Sequence, residues 1–144
     1  MIYNLTAYTD GSYFRNNGGN ASIVLHGSNF LLILERETSS YVTNNRMELK
    51  AVINILKHLN SQCNITIYCD SKYVVDSIDQ GWVNNWVNNN WRNSGGDVKN
   101  RDLWEEYLMY SQYHNVKMIW VRGHDGNIDN EFVDEMANYA RKYL

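Results

Sequence analysis

The stretch Leu5 to Ser12, LTAYTDGS, constrains this chain more than any other. It starts as a strand, with Leu5, Ala7 and Thr9 on one face. It ends in a carboxylate, Asp10, followed at once by Gly11. An apolar strand that delivers an acid to a glycine places a charge at the mouth of a sheet. Three later acids, Glu48, Asp70 and Asp134, each sit where a helix or strand brings them back toward Asp10. The four carboxylates are read as one site suited to divalent metal.

The rest of the pattern supplies the frame. Tyr3 to Thr9 reads as a first strand, and residues 11–20, GSYFRNNGGN, as turn chemistry throughout. Strands follow at 21–26 and 30–37, joined by Gly27-Ser28-Asn29, so the first three form an antiparallel meander. Phe30 to Leu34 shows no clean alternation, which predicts a strand covered on both faces or set at a crowded edge. Thr43 or Asn44 caps a long amphipathic helix over 45–60. A strand at 64–69 comes after this helical crossover and therefore runs parallel to its neighbour. A short helix at 72–79, a tryptophan-bearing segment at 80–99, a helix at 101–113, a strand at 116–121 and a last helix at 129–144 complete the chain. No repeat or linker breaks it, and 144 residues fit one domain.

Composition excludes several classes. Hydrophobic residues make up 44% and aromatics 13%, too many for a disordered chain. No apolar run is long enough for a membrane span, and the N-terminus lacks a secretory pattern, so a soluble, cytoplasmic monomer is expected. Cys63 and Cys69 lie along one strand without metal spacing and read as buried thiols in a reducing compartment. The net charge of −3 argues against bulk electrostatic binding of nucleic acid; any such binding needs a local arrangement.

Each acid also has a plain structural reading. Glu48 suits the first turn of a helix through its dipole, and the two readings are evenly balanced. Asp70 at a strand-to-helix junction is an ordinary N-cap, and alone it favours that reading. Together, crowded carboxylates repel unless a cation lies between them. Oxygen-only ligands suit Mg²⁺ or Mn²⁺ rather than zinc.

Six motifs then converge. TDGS at 9–12, TNNRMEL at 43–49, CDS at 69–71, VKNRDLW at 98–104 after a WxxxW helix, WVRGH at 120–124 and NExxDEMA at 130–137 occur in order over nearly the whole chain. Together they resemble bacterial-type ribonuclease H of type 1. The resemblance implies an α/β ribonuclease H-like fold. Its five-stranded mixed sheet has three antiparallel strands, then two parallel, flanked by helices. It implies hydrolysis of the RNA strand of RNA/DNA hybrids, leaving 5′-phosphate and 3′-hydroxyl ends. Two Mg²⁺ ions are expected at the site, with Mn²⁺ able to substitute.

By the same resemblance, Asp10, Glu48, Asp70 and Asp134 match the metal ligands. His124 matches a loop histidine that assists proton transfer or product release. Gly11, Ser12 and Asn45 match positions near the RNA strand. Asn16, Thr43 and Asn100 match positions holding the DNA strand or its phosphate. Tyr73 and Trp82 match aromatics that flank deoxyribose. Each of these also reads as a turn-former, cap or packing residue. Three departures stand out. Tyr41 occupies a position where many relatives carry a phosphate-gripping arginine. The first loop lacks the family's usual proline and extra glycine. The tryptophan segment has lost most of its lysines. The rival readings are another metal nuclease of this fold, such as a junction resolvase or integrase-like domain, and a non-catalytic hybrid-binding module.

Overall fold

Short turns between the first strands and a helical crossover after them fix the sheet. In the computed structural model, residues 2–123 and 126–144 are described. Strands β1 (Tyr3–Phe14), β2 (Asn17–His26) and β3 (Asn29–Thr38) form the antiparallel meander. Helix α1 (Asn44–His58) crosses over to β4 (Cys63–Cys69), which pairs parallel with β1. Then come α2 (Lys72–Asp79), α3 (Trp82–Asn88), a small hairpin of β5 (Arg92–Asn93) and β6 (Gly96–Asp97), and α4 (Arg101–Ser111). Strand β7 (Asn115–Trp120) pairs parallel with β4, and α5 (Ile128–Tyr143) closes the chain. The sheet order is β3-β2-β1-β4-β7, the expected mixed arrangement.

Residues 11–20 depart from expectation. They are strand rather than turn, and only Arg15 and Asn16, both with positive φ, make the bend. Continuous pairing from Asp10↔Ala21 to Phe14↔Asn17 extends the sheet past the acid. The glycines there are packing devices. A Cβ on Gly18 would lie 2.5 Å from Met47 Sδ, and one on Gly19 would lie 2.4 Å from the Ala137 carbonyl oxygen. Strand β3 is an edge strand whose outer end is open, with Phe30 and Leu31 exposed.

Two apolar clusters sandwich the sheet. On one face Leu49, Val52, Ile53 and Leu56 of α1 pack against Ala7, Ile65, Ile67 and Met118, with Trp104 fully buried beside them. On the other, Val133 and Ala137 of α5 pack on Ala21 and Ile23. Tyr143, near the end of α5, is exposed. Trp86 and Trp91 pack as a satellite of the larger cluster, while Trp82 stays 41% exposed. No helix among the described residues is long and apolar enough to cross a membrane.

Candidate active site

The parallel pairing of β1 with β4 builds the site. Thr9 is level with Cys69, so the next residue on each strand, Asp10 and Asp70, meets the other where two carboxyl ends adjoin. Ser71, not Asp70, caps α2, its hydroxyl accepting from Val74 N at 3.2 Å. The acid is thereby left out of the capping role. Glu48 enters from α1, whose cap is Thr43, its hydroxyl accepting from Arg46 N. Gly11 permits this approach, because a Cβ there would lie 2.7 Å from the Glu48 nitrogen.

Asp10, Glu48 and Asp70 each offer a carboxylate oxygen within 4.8 Å of the others. Asp134, from α5, lines the same cleft with Asp10, Asp70 and Gly123. Gly123 closes over Asp70, and a Cβ there would stand 3.2 Å from Asp70 Oδ2. The Trp120 indole donates to the Asp70 carbonyl at 3.2 Å.

Among the acids described, Asp10 and Glu48 are pushed furthest from the usual carboxylate range. Burial first, then the charge of Asp70, pushes the Asp10 carboxyl up to about 7, against its bond from Gly11 N at 2.8 Å. Glu48 is pushed well above the usual carboxylate range by burial, then by Asp10 and Asp70. Its Oε2 is buried and has no hydrogen-bond partner among the described residues. An orphaned buried carboxylate oxygen facing two further carboxylates is costly. A divalent cation removes both the repulsion and the missing partner. The donor set therefore fits a divalent metal.

The RNase H sequence profile matches residues 3–142. The chain belongs to the RNase H family. A Ribonuclease H of Francisella philomiragia is 44% identical over 143 residues, spanning 95% of this chain and 90% of the relative. A Ribonuclease H of Caldicellulosiruptor saccharolyticus is 42% identical over 140 residues, spanning 95% of each. The crystal structure of LC9-RNase H1, a type 1 RNase H with the type 2 active-site motif, superposes with a TM-score of 0.85 at 27% identity. It covers 98% of this chain and 73% of that one. The PFV RNase H domain, at 18% identity, shares the fold with a TM-score of 0.73. The chain is thus a nuclease of the ribonuclease H class.

Against that family frame, the other sequence-predicted positions separate. Thr43 and Asn100 line one groove with Tyr41, Arg46 and Lys99. Asn100 has a left-handed backbone (φ 64°), and its amide donates to the Tyr73 hydroxyl at 3.1 Å. That hydroxyl also accepts from the Trp104 indole at 2.9 Å, so Tyr73 is fixed by the core. Asn16 adjoins the groove, its carbonyl accepting from Ser39 N. Asn45 stands exposed on the first turn of α1, and Trp82 opens α3. Ser12 is engaged by Asn138 and Arg141 of α5. His124 lies outside the described residues.

Sequence reasoning missed two features. Arg46 is held bidentate by Asp102, with bonds of 2.9 and 2.8 Å, so much of its charge is spent inside the protein. Asn20, Asn54 and Glu35 form a polar network behind α1. Neither has a sequence signature, because each pair is distant along the chain.

Proposed function

We propose that this enzyme cleaves the RNA strand of RNA/DNA hybrids at the four-carboxylate cleft, leaving 5′-phosphate and 3′-hydroxyl ends. Residues 1–144 would act as one catalytic domain. The observation that carries the reading is the buried, partnerless Glu48 oxygen set against Asp10 and Asp70. Two Mg²⁺ ions, when bound, would supply the positive charge that activates water and stabilises the leaving oxygen. Asp10 would be the shared ligand, since it adjoins both Glu48 and Asp70 and lines the cleft with Asp134. The fixed carboxylates hold their geometry through β1, β4 and α1, so little reorganisation is needed when substrate arrives.

His124, assigned from the WVRGH motif, would move a proton near the leaving group, a task suited to an imidazole. Asn45 is free to read the RNA strand across the minor groove, where the 2′-hydroxyl marks RNA. The Thr43–Asn100 groove, with Asn16 beside it, would take the DNA strand, and exposed Trp82 would flank a deoxyribose. The buried free thiols Cys63 and Cys69 fit work in a reducing cytoplasm.

The test is cleavage of labelled RNA/DNA, RNA/RNA and DNA/DNA duplexes, with and without Mg²⁺, followed by analysis of the product ends. Mg²⁺-dependent cutting confined to the RNA of the hybrid is expected. Cutting of DNA/DNA, or cutting that survives chelation, would refute the assignment.

A further inference from the structure

Ser12 stands two residues past Asp10 on β1, yet its hydroxyl proton is already committed. It donates to Asn138 Oδ1 at 2.6 Å and accepts from Arg141 Nε at 2.7 Å. Asp134, Asn138 and Arg141 share one face of α5, at i, i+4 and i+7. Arg141 therefore projects from the helix that carries a site acid, about 10 Å further along its axis. Its second contact to Asn138 is long, at 3.5 Å, so the outer guanidinium N–H groups have capacity left. Two guanidiniums lie near the exposed Phe14 ring, Arg15 at 5.0 Å and Arg141 at 5.7 Å from its centroid.

Among the described residues, five of the protein's 13 lysines and arginines are held by carboxylates, and this arginine pair is not among them. Arg46, Lys50, Lys57, Arg92 and Arg101 each pair with a carboxylate. Neither Arg15 nor Arg141 forms an ion pair with a carboxylate among the described residues. Two arginines and an exposed aromatic ring thus stand together, without a carboxylate partner among the described residues, beside the part of β1 that follows Asp10.

We propose that Arg141, aimed by Ser12 and Asn138, binds a backbone phosphate of the cleaved strand, with Phe14 and Arg15 flanking that strand. At ~3.4 Å of axis per nucleotide, the contact falls within about three nucleotides of the reacting bond. Ser12 is then a positioning residue rather than the group that touches ribose. The assignment rests on the hybrid-cleavage reading above. A planar, forked guanidinium suits this role better than an ammonium, because it grips two phosphate oxygens at once.

The test measures hybrid affinity across salt concentrations on an Asp10→Asn background, where the RNA stays uncut. Arg141→Gln should lower the slope of log affinity against log salt by about 0.7–0.9, one phosphate's worth, and Arg141→Lys should restore it. Hybrids bearing one neutral methylphosphonate at a time in the RNA strand then locate the contact. At one position near the cleavage site the substitution should weaken the Asp10→Asn parent but not its Arg141→Gln derivative. Should Arg141→Gln fail to fold, Arg141→Met, which keeps the stem over Phe14, takes its place. A mere tie between β1 and α5 would lower the melting temperature and leave the slope unchanged, overturning the assignment. Cleavage by the unaltered protein is followed in parallel. Cutting with an unchanged slope refutes the Arg141 contact alone, whereas absence of cutting removes the reading beneath it as well.

Discussion

Replacing Asp10 with asparagine should stabilise the metal-free protein while abolishing its activity. Folding carries Asp10 from an ordinary pKa of 3.8 up to about 7, so the native state favours the protonated acid. Stability from this group is fully present below the unfolded value and is lost as pH rises through the folded one. Asp10 held at about 7 instead of 3.8 corresponds to at most about 4 kcal/mol at pH 8. Asparagine mimics the neutral acid and keeps the oxygen that accepts from Gly11 N. It also withdraws one charge from Glu48, whose carboxyl is raised partly by Asp10. In EDTA at pH 8 the variant should melt roughly 5–10 °C above the parent, given ~2–4 °C per kcal/mol for a domain near this size. At pH 5 the gap should shrink. Glu35 and Asp102, both held below the usual range, lose their contributions only at lower pH, so they do not mask the trend. Mg²⁺ should narrow the gap, because metal at 100 times its Kd adds about 2.7 kcal/mol to the parent. Melting curves at pH 5, 6.5 and 8, with EDTA or Mg²⁺, decide the matter. An Asp10→Asn protein no more stable than its parent in EDTA at pH 8 would refute the account of crowded, repelling carboxylates.

Four shorter predictions test other parts of the molecule. Gly11→Ala should destabilise by about 1–3 kcal/mol and weaken Mg²⁺ binding, since its Cβ meets the Glu48 backbone at 2.7 Å; denaturation and metal titration report both. Asp102→Asn should release Arg46 and steepen the salt dependence of hybrid affinity by up to about 0.9, provided the groove faces phosphate. Asn88→Lys with Asn89→Lys, both exposed at the end of α3, should tighten hybrid binding and raise the same slope. His124→Ala should slow turnover by about 10²-fold, less than loss of a site acid, as read from single-turnover rates.

The fold was legible because its determinants are local. Helix α2 matches its expected bounds, 72–79, and Thr43 caps α1 as read. The antiparallel and parallel pairings follow from short turns and a helical crossover. Residues 11–20 misled because glycines and asparagines look like turn formers. Gly18 and Gly19 are glycine for another reason: Met47 and the Ala137 carbonyl leave no room for a Cβ. Continuation of the strands then becomes the cheaper outcome, since residues 10–14 pair throughout with 17–21. At the site, the strand acids Asp10 and Asp70 could be placed from register alone. Glu48 could not, because its inward aim depends on how closely Gly11 lets α1 approach. Glu48 lies past the first turn of α1, where a helix-dipole role would place it, and its burial, at 4% exposure, and its partnerless oxygen support the metal-site reading.

Charge is where sequence counting fails most. The chain carries 13 lysines and arginines, and composition treats them as equal. Folding does not. Arg46 and Arg101 are paired with Asp102 and Glu105. Arg92, one of two cations in the tryptophan segment, pairs with Asp97 across the β5–β6 hairpin. Trp86 and Trp91 turn inward toward Trp104, so the outer surface of that segment is mainly asparagine, which releases no counterion. Surface ion pairs are worth little to stability, yet each lowers the field a polyanion meets. The cations without a carboxylate partner among the described residues include Arg15, Arg141 and Lys72, the last resting over the Trp120 ring at 4.7 Å. Substrate affinity should therefore come from a few contacts beside the acids rather than from a broad basic face. A shallow salt slope, equal to about one to three phosphates, follows from that distribution.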